Sequence, residues 1–78
     1  MIKPGDKKVL KKFGENLRKL RKNKSLSLRQ MSYACSIDNS KIAKIEKGMV
    51  NVTLTTLLQL AHALDTHPCS LLDYDNPE

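Results

Sequence analysis

The segment "SLRQMSYACSIDNSKIAKIEKG", residues 27–48, decides the fold, because signals that begin and end helices punctuate two short runs that favour helix. Ser27 and Gln30 match a capping box, in which the serine oxygen accepts a hydrogen bond from the backbone N–H near Gln30 and the glutamine side chain bonds back to the serine N–H. The box predicts a helix over about residues 28–35.

A second short helix is predicted after the polar break that follows. Asp38 is placed to cap this helix, and Gly48 can supply the left-handed residue that commonly ends one, so the helix covers about residues 39–47. With about 100° between successive residues, Ile42 and Ile45 share its inner face. The outer face carries Ser40, Lys44 and Lys47, flanked by Lys41 and Ala43, and Asn39 stands at the N-terminal end.

These two helices have the arrangement of a DNA-reading helix-turn-helix. A short capped helix is followed by a turn of three or four residues and by a helix with an exposed row of small polar and basic side chains. In the major groove lysine can donate to guanine, asparagine can bond adenine bidentately, and serine can contact either purine. Three lysines are also typical of an ordinary solvated helix, so this helix alone leaves both interpretations open.

Helical periodicity continues over the rest of the chain, where apolar residues recur at three- and four-residue steps. Asp6 can cap a first helix, Thr53 can cap a fourth, and Pro68 occupies a favoured first position of a short fifth. The predicted fold is therefore a compact all-α domain. Its five helices cover about residues 7–23, 28–35, 39–47, 54–64 and 68–74.

Charge is distributed unevenly along the 78 residues, which are enough for one small domain with a marginal core. The net charge is +6, and ten of the 14 basic residues lie between Lys3 and Lys24, whereas residues 49–78 contain four acidic residues and no lysine or arginine. This balance indicates an anionic partner. The predicted organisation is a basic N-terminal extension over 1–12 leading into helix one, a helix-turn-helix domain over 13–74, and an acidic tail over 75–78.

Several other classes of protein are disfavoured. Cys35 and Cys69 are too few for a disulfide framework and are expected to be reduced and buried. His62, His67 and Cys69 match no usual metal-ligand spacing, and neither a glycine-rich phosphate loop nor an acid and base pair is evident, so we expect no metal, no cofactor and no enzyme activity. No apolar run approaches the roughly 20 residues of a membrane span, and we expect a cytoplasmic protein.

From residue 13 to residue 72 the sequence resembles the Cro and lambda-repressor-like helix-turn-helix family, also called the xenobiotic-response-element family. The most specific pieces are "LRKLR", "LSLRQM", "SKIAKIEKG" and "TLTTLLQLAHAL", in that order. Among the members it is most similar to small restriction–modification controllers and phage-type repressors. The resemblance implies that helix three enters the major groove, that helix two crosses the backbone, and that a homodimer regulates transcription from a palindromic operator.

The resemblance also implies roles for particular residues. The predicted base contacts are Asn39, Ser40, Lys41 and Lys44, and the predicted phosphate contacts are Arg29, Lys47, Met49 and Asn51. The sequence departs from the usual family pattern at three positions. Leu28 replaces a glutamine that binds a phosphate, Ser36 replaces a glycine in the turn, and Val52 replaces a proline. Arg29 is placed to supply the phosphate contact that the glutamine would have made.

An ion pair between Arg21 and Glu46 is a further expectation. Glu46 projects only about 40° from Ile42, on the inward half of helix three, and Arg21 lies at the edge of the apolar stripe of helix one. In the family, the arginine of "LRKLR" pairs with the glutamate of "IEKG". Such a pair would be structural, because removing one partner leaves a partly buried charge.

The C-terminal third carries more apolar residues than a small core requires. Leu54, Leu57, Ala61 and Leu64 are predicted to face the core from helix four. The remaining apolar residues are predicted to form a homodimer interface: Leu58, Leu60, Leu71, Leu72 and Tyr74. Packing against helix five within the monomer would also use these residues.

Two other questions stay open at this level. The basic run that includes Lys7, Lys8, Lys11 and Lys12 can supplement phosphate contacts or keep the protein soluble. A membrane-surface role for this helix is disfavoured, because its apolar face belongs to the domain core. The alternative function is an antitoxin-like module that sequesters a partner protein and binds DNA secondarily.

Overall fold

The computed structural model describes Lys3 and residues 6–74, and within them it contains five α-helices and no strand. The helices are α1 (Lys7–Asn23), α2 (Leu28–Cys35), α3 (Asn39–Glu46), α4 (Leu54–Ala63) and α5 (Pro68–Leu71). The predicted all-α fold is confirmed. Across the described residues, none of the helices has the length and apolar character that crossing a membrane requires. The predicted acidic tail, 75–78, lies outside the described residues.

Three of the helices begin at the side chains that the sequence indicated. The Asp6 carboxylate accepts from the backbone of Lys8 at 2.9 Å, Ser27 and Gln30 form the reciprocal capping box, and Thr53 accepts from the backbone of Thr56 at 3.2 Å. The expected cap of α3 is wrong. Asp38 occupies the N-cap position, but its carboxylate accepts from the Ser40 hydroxyl and not from the helix backbone.

Left-handed residues follow the first four helices, and among them only Gly48 is a glycine. Backbone bonds of the Schellman type close α1, α3 and α4, with Ser25, Gly48 and Asp65 at positive φ. A side chain at Gly48 would put its Cβ 2.7 Å from the Cα of Lys11, so only this position excludes every other residue by contact as well as by φ. Ser36, where the family usually has glycine, adopts φ 60°.

Helix α5 is shorter than predicted, and a side chain of α1 binds its C-terminal carbonyl groups. The Asn16 amide donates to the carbonyl oxygens of Ser70 and Leu71 at 3.0 and 2.9 Å. These acceptors belong to the group that a helix end leaves without intrahelical partners. Asn16 thereby satisfies the end of α5 and fastens it to α1.

The core differs from the prediction on α4. Leu60 is fully buried and Leu54 is largely exposed, because the inward stripe runs through Leu57, Leu60, Ala61 and Leu64. Both choices have helical spacing, but Leu54 is the first residue of the helix and projects beyond the packed region. The largest side chains that are fully buried are Leu17, Met31, Ile42, Ile45, Leu60, Leu64 and Leu71.

Helices α1 and α3 meet backbone to backbone. A Cβ built on Gly14 would lie 2.4 Å from the carbonyl oxygens of both Ile45 and Glu46, which is far inside van der Waals contact. Gly14 therefore permits a closer approach than any other residue would allow. Because this contact and the contact between Lys11 and Gly48 lie on the same stretch of α1, the C-terminal end of α3 is seated against α1 over about one helical turn.

The Arg21 and Glu46 pair joins the same two helices. Arg21 Nε lies 2.6 Å from Glu46 Oε2 and Nη2 lies 3.1 Å from Oε1, so the contact is bidentate and both side chains are buried. Nη1 donates to the carbonyl oxygen of Leu26 at 2.7 Å. One guanidinium group therefore ties together α1, the turn that leads into α2, and α3.

Replacing Gly14 with alanine is expected to destabilise the protein by about 1–3 kcal/mol, because the methyl group meets backbone atoms that cannot rotate away. Helix propensity alone predicts the opposite sign, a gain of about 1 kcal/mol. Chemical denaturation measures the difference. Ala34→Gly, at an exposed position of α2, is the control and should cost about 1 kcal/mol through propensity. A stabilised Gly14→Ala protein would show that the helices are not in backbone contact.

Changing either Arg21 or Glu46 to alanine is expected to cost about 3–5 kcal/mol, since a buried charge is left without its partner. Replacing both with apolar residues of similar size, as in Arg21→Met with Glu46→Leu, should recover much of that stability. A double-mutant cycle in urea provides the coupling free energy, and additive effects would show that the side chains do not interact in solution.

Candidate nucleic-acid interface

Helix α3 exposes the side chains that were predicted to contact bases. Ser40, Lys44 and Lys47 lie within about 60° of one another around the helix axis. The apolar side chains of Ile42 and Ile45 are fully buried on the opposite face. The predicted base-contacting residues are all exposed and occupy the outer side of the helix: Asn39, Ser40, Lys41 and Lys44.

The Ser40 hydroxyl is oriented by its neighbour Asp38. The hydroxyl donates to the Asp38 carboxylate. Since a hydroxyl has a single proton, the free lone pairs of the Ser40 oxygen are left to accept a hydrogen bond from outside. This contact favours the Ser40 oxygen as an acceptor. Asp38 was predicted as a helix cap, and its effect on Ser40 was not anticipated.

Two concave surfaces meet at Lys47, which lines both. One has a volume of about 590 Å³ and lies between α1 and the loop after α3, where the predicted phosphate contacts Met49 and Asn51 are found. The other has a volume of about 250 Å³ and lies between α1, α2 and α3. Arg18 lines it from α1 and Leu28 lines it from α2. Lys47 is thus the point at which the basic face of α1 joins that of α3.

Arg29 is exposed at the start of α2, next to Leu28, which lines the concave surface between the helices. The phosphate contact expected of Arg29 stays a prediction. Arg18 lines that surface together with Arg21 and Lys47, and sequence reasoning missed Arg18 although it lies three residues before Arg21.

The predicted dimer surface needs correction at two positions. Leu60 and Leu71 are fully buried within the monomer, so they cannot present side chains to a second copy. Leu58 and Leu72 are 46% and 50% exposed, and Tyr74 is partly buried beside the core. Burial raises the pKa of the Tyr74 hydroxyl above its ordinary value.

Leu72 and Tyr74 line an apolar groove of about 170 Å³ that no residue of α3 lines. The N-terminal turn of α4 forms one side of it, including the exposed Leu54, and the start of α1 contributes Val9 and Leu10. The groove is therefore built from the apolar, C-terminal part of the chain and the beginning of α1. It adjoins the larger concave surface that Lys47 lines, because Leu10 and Asn51 line both.

The cysteine prediction holds for one of the two residues. Cys35, the last residue of α2, is buried, whereas Cys69 is exposed on α5. Among the described residues, no three histidine, cysteine or acidic side chains cluster in a way that could hold a metal ion.

Comparison with known proteins identifies relatives of this chain. A family model described as a helix-turn-helix domain matches residues 12–72. The control protein C.BamHI of Bacillus amyloliquefaciens is 33% identical over 63 residues, which cover 80% of this chain and 78% of that protein.

Solved structures give the same result. The restriction-modification controller protein C.AhdI from Aeromonas hydrophila matches with a TM-score of 0.78 and 42% identity, over 80% of this chain and 94% of that one. The clp gene regulator ClgR from Corynebacterium glutamicum matches with a TM-score of 0.78 and 25% identity, over 82% and 83% of the two chains. The chain therefore belongs to the helix-turn-helix domain family, is homologous to the controller proteins C.BamHI and C.AhdI, and has the Cro/C1-type fold of DNA-binding transcription regulators.

Proposed function

We propose that this protein is a sequence-specific transcriptional regulator that binds a palindromic operator as a homodimer and reads the major groove with α3. The observation that carries the proposal is the two-sided character of α3, whose apolar side is buried and whose polar side is exposed. An α-helix fits the major groove of B-form DNA, where each base pair presents a distinct pattern of donors and acceptors. Acting on DNA places such a regulator in the cytoplasm of a bacterial host.

The side chains of α3 suit different bases. Lys44 can donate to guanine O6 and N7, and Asn39 can bond the N6 and N7 edge of adenine. Ser40, whose proton is directed at Asp38, is left as an acceptor, which suits the amino group of cytosine or adenine. Each of these assignments is supported by the exposure of the side chain and by its hydrogen-bonding groups.

The homodimer is supported by the apolar groove and by the charge distribution. Leu58, Leu72 and Tyr74 remain as interface residues, and Leu54 joins them because it is exposed beside the groove. Residues 49–78 carry no lysine or arginine, so Leu54, Leu58 and Leu72 bring no basic neighbours from their own segment to the contact. A two-fold axis at this surface would place both α3 helices about 34–36 Å apart, facing successive major grooves.

The names of the relatives suggest which genes are regulated. C.AhdI is a restriction-modification controller protein, and C.BamHI is a control protein. We infer that this chain controls the genes of a restriction–modification system. Selecting bound sites from random DNA, followed by a search for those sites beside such genes, tests this inference. A stable one-to-one complex with a neighbouring gene product, together with weak DNA binding, would instead favour the antitoxin-like function.

Replacing Lys44 or Asn39 with alanine is expected to cost about 1–3 kcal/mol of binding free energy at the selected site and to relax the base preference there. Binding to random DNA should change little. A titration by fluorescence anisotropy at fixed salt measures both. Lys12→Ala is the control, because Lys12 is exposed on α1 beside Glu15 and Tyr74 and does not line the concave surface at Lys47. Equal weakening on selected and random DNA would assign the α3 residues to phosphate contacts.

Replacing Leu72 or Leu58 with aspartate is expected to convert the dimer into a monomer, since a two-fold contact contains each substitution twice. Tyr33→Asp changes an exposed side chain on α2, outside the groove, and should leave the dimer intact. Sedimentation velocity distinguishes the species. Unchanged dimers of both leucine variants would refute this interface, and a monomeric wild-type protein would refute the dimer.

A further inference from the structure

The N-terminal half of α1 brings two of its lysines to the loop that follows α3. Lys7 and Lys11 are four residues apart and therefore lie on the same face of the helix. Both line the concave surface of about 590 Å³ that also contains Lys47 and Asn51. The backbone of Lys11 is so close to Gly48 that a methyl group there would lie 2.7 Å from the Lys11 Cα. The two segments are therefore held side by side.

The polar side chains of this concave surface all suit an anion, and Leu10, Gly48 and Met49 line the rest of it. Lys7, Lys11 and Lys47 contribute three ammonium groups, and none of its lining residues is acidic. The Asn51 side-chain oxygen accepts from the backbone of Val52 at 2.9 Å, which leaves the Asn51 amide hydrogens free to donate outward. Within the described residues, the salt bridge of the structure joins Arg21 and Glu46. None of the three lysines is therefore paired with a described carboxylate.

We infer that this surface, formed by Lys7 and Lys11 of α1 with Lys47 and Asn51 after α3, binds the sugar–phosphate backbone of DNA next to the groove that α3 enters. Like charges that share one concave surface repel each other unless an anion lies between them. Double-stranded DNA supplies one phosphate per about 1.7 Å of its axis, so an extended basic surface can engage it in several places. The inference rests on the proposed function for the placement of α3.

The helix itself provides a matched control. Lys8 and Lys12 have the same charge, the same spacing and the same helix as Lys7 and Lys11, and all four are exposed. Neither Lys8 nor Lys12 lines the surface, and Lys12 lies instead beside Glu15 and Tyr74. The proposal therefore predicts different effects for two pairs of lysines whose removal changes the net charge equally.

The test measures how the affinity for a short duplex of random sequence depends on salt concentration. In the double variant Lys7→Gln with Lys11→Gln, the slope of log affinity against log salt is expected to become shallower by about 0.9 for each phosphate that is no longer neutralised. The slope of Lys8→Gln with Lys12→Gln should equal that of the wild-type protein. Thermal unfolding of both double variants should match the wild-type protein, because all four lysines are exposed.

Three results would overturn the inference. Equal changes in the slope for both lysine pairs would mean that the general charge of α1 acts and that no site exists. Unchanged slopes for both would mean that α1 lies away from the DNA. A wild-type protein that fails to bind the random duplex even at low salt would exclude a backbone-binding surface. The proposed function is tested separately, since it fails when selection from random DNA yields no preferred sequence.

Discussion

The buried ion pair between Arg21 and Glu46 is the interaction on which the orientation of α3 depends. Glu46 is the last residue of α3, where the partial negative charge of the helix end makes a carboxylate unfavourable. Burial adds a desolvation cost, and the bidentate guanidinium offsets both. Because Arg21 also holds the carbonyl oxygen of Leu26, the turn before α2 is tied to the same charge. The two helices of the helix-turn-helix are therefore positioned by one side chain of α1.

Contacts between backbones restrict the same helix in a second way. Gly14 lies against the final carbonyl groups of α3, and Gly48 lies against α1 near Lys11. Side chains can change rotamer to relieve a contact, but backbone atoms cannot do so without moving a helix. An ion pair and two backbone contacts together fix both the distance of α3 from α1 and its rotation. This is the physical reason that its polar residues face outward.

The helices were predictable because local signals specify them. The capping box at Ser27 and Gln30 and the glycine at position 48 act within a few residues, and the observed boundaries agree closely with the expected ones. The contact at the end of α5 was not predictable, since the side chain that binds there, Asn16, is 54 residues distant from Ser70. Leu60 and Leu54 were assigned to the wrong surfaces because periodicity gives two equivalent stripes on α4, and only tertiary packing chooses between them.

For the candidate site, helical geometry was enough to place Lys44 on the outer side of α3. The sequence could not predict that Lys7 lines the concave surface and Lys8 does not, because this depends on how α1 is rotated against the loop after α3.

The outward residues of α3 take almost no part in holding the domain together. The contacts that seat this helix involve the backbone at Ile45 and Glu46, the Glu46 side chain and the buried side chain of Ile42. Under the proposed function, recognition and folding are assigned to different atoms of the same eight-residue helix. A descendant of this gene would then be able to exchange residues such as Lys44 and acquire a new operator while it keeps its scaffold. After a gene duplication, two such regulators would be free to diverge in the same cell until they no longer bind each other's sites.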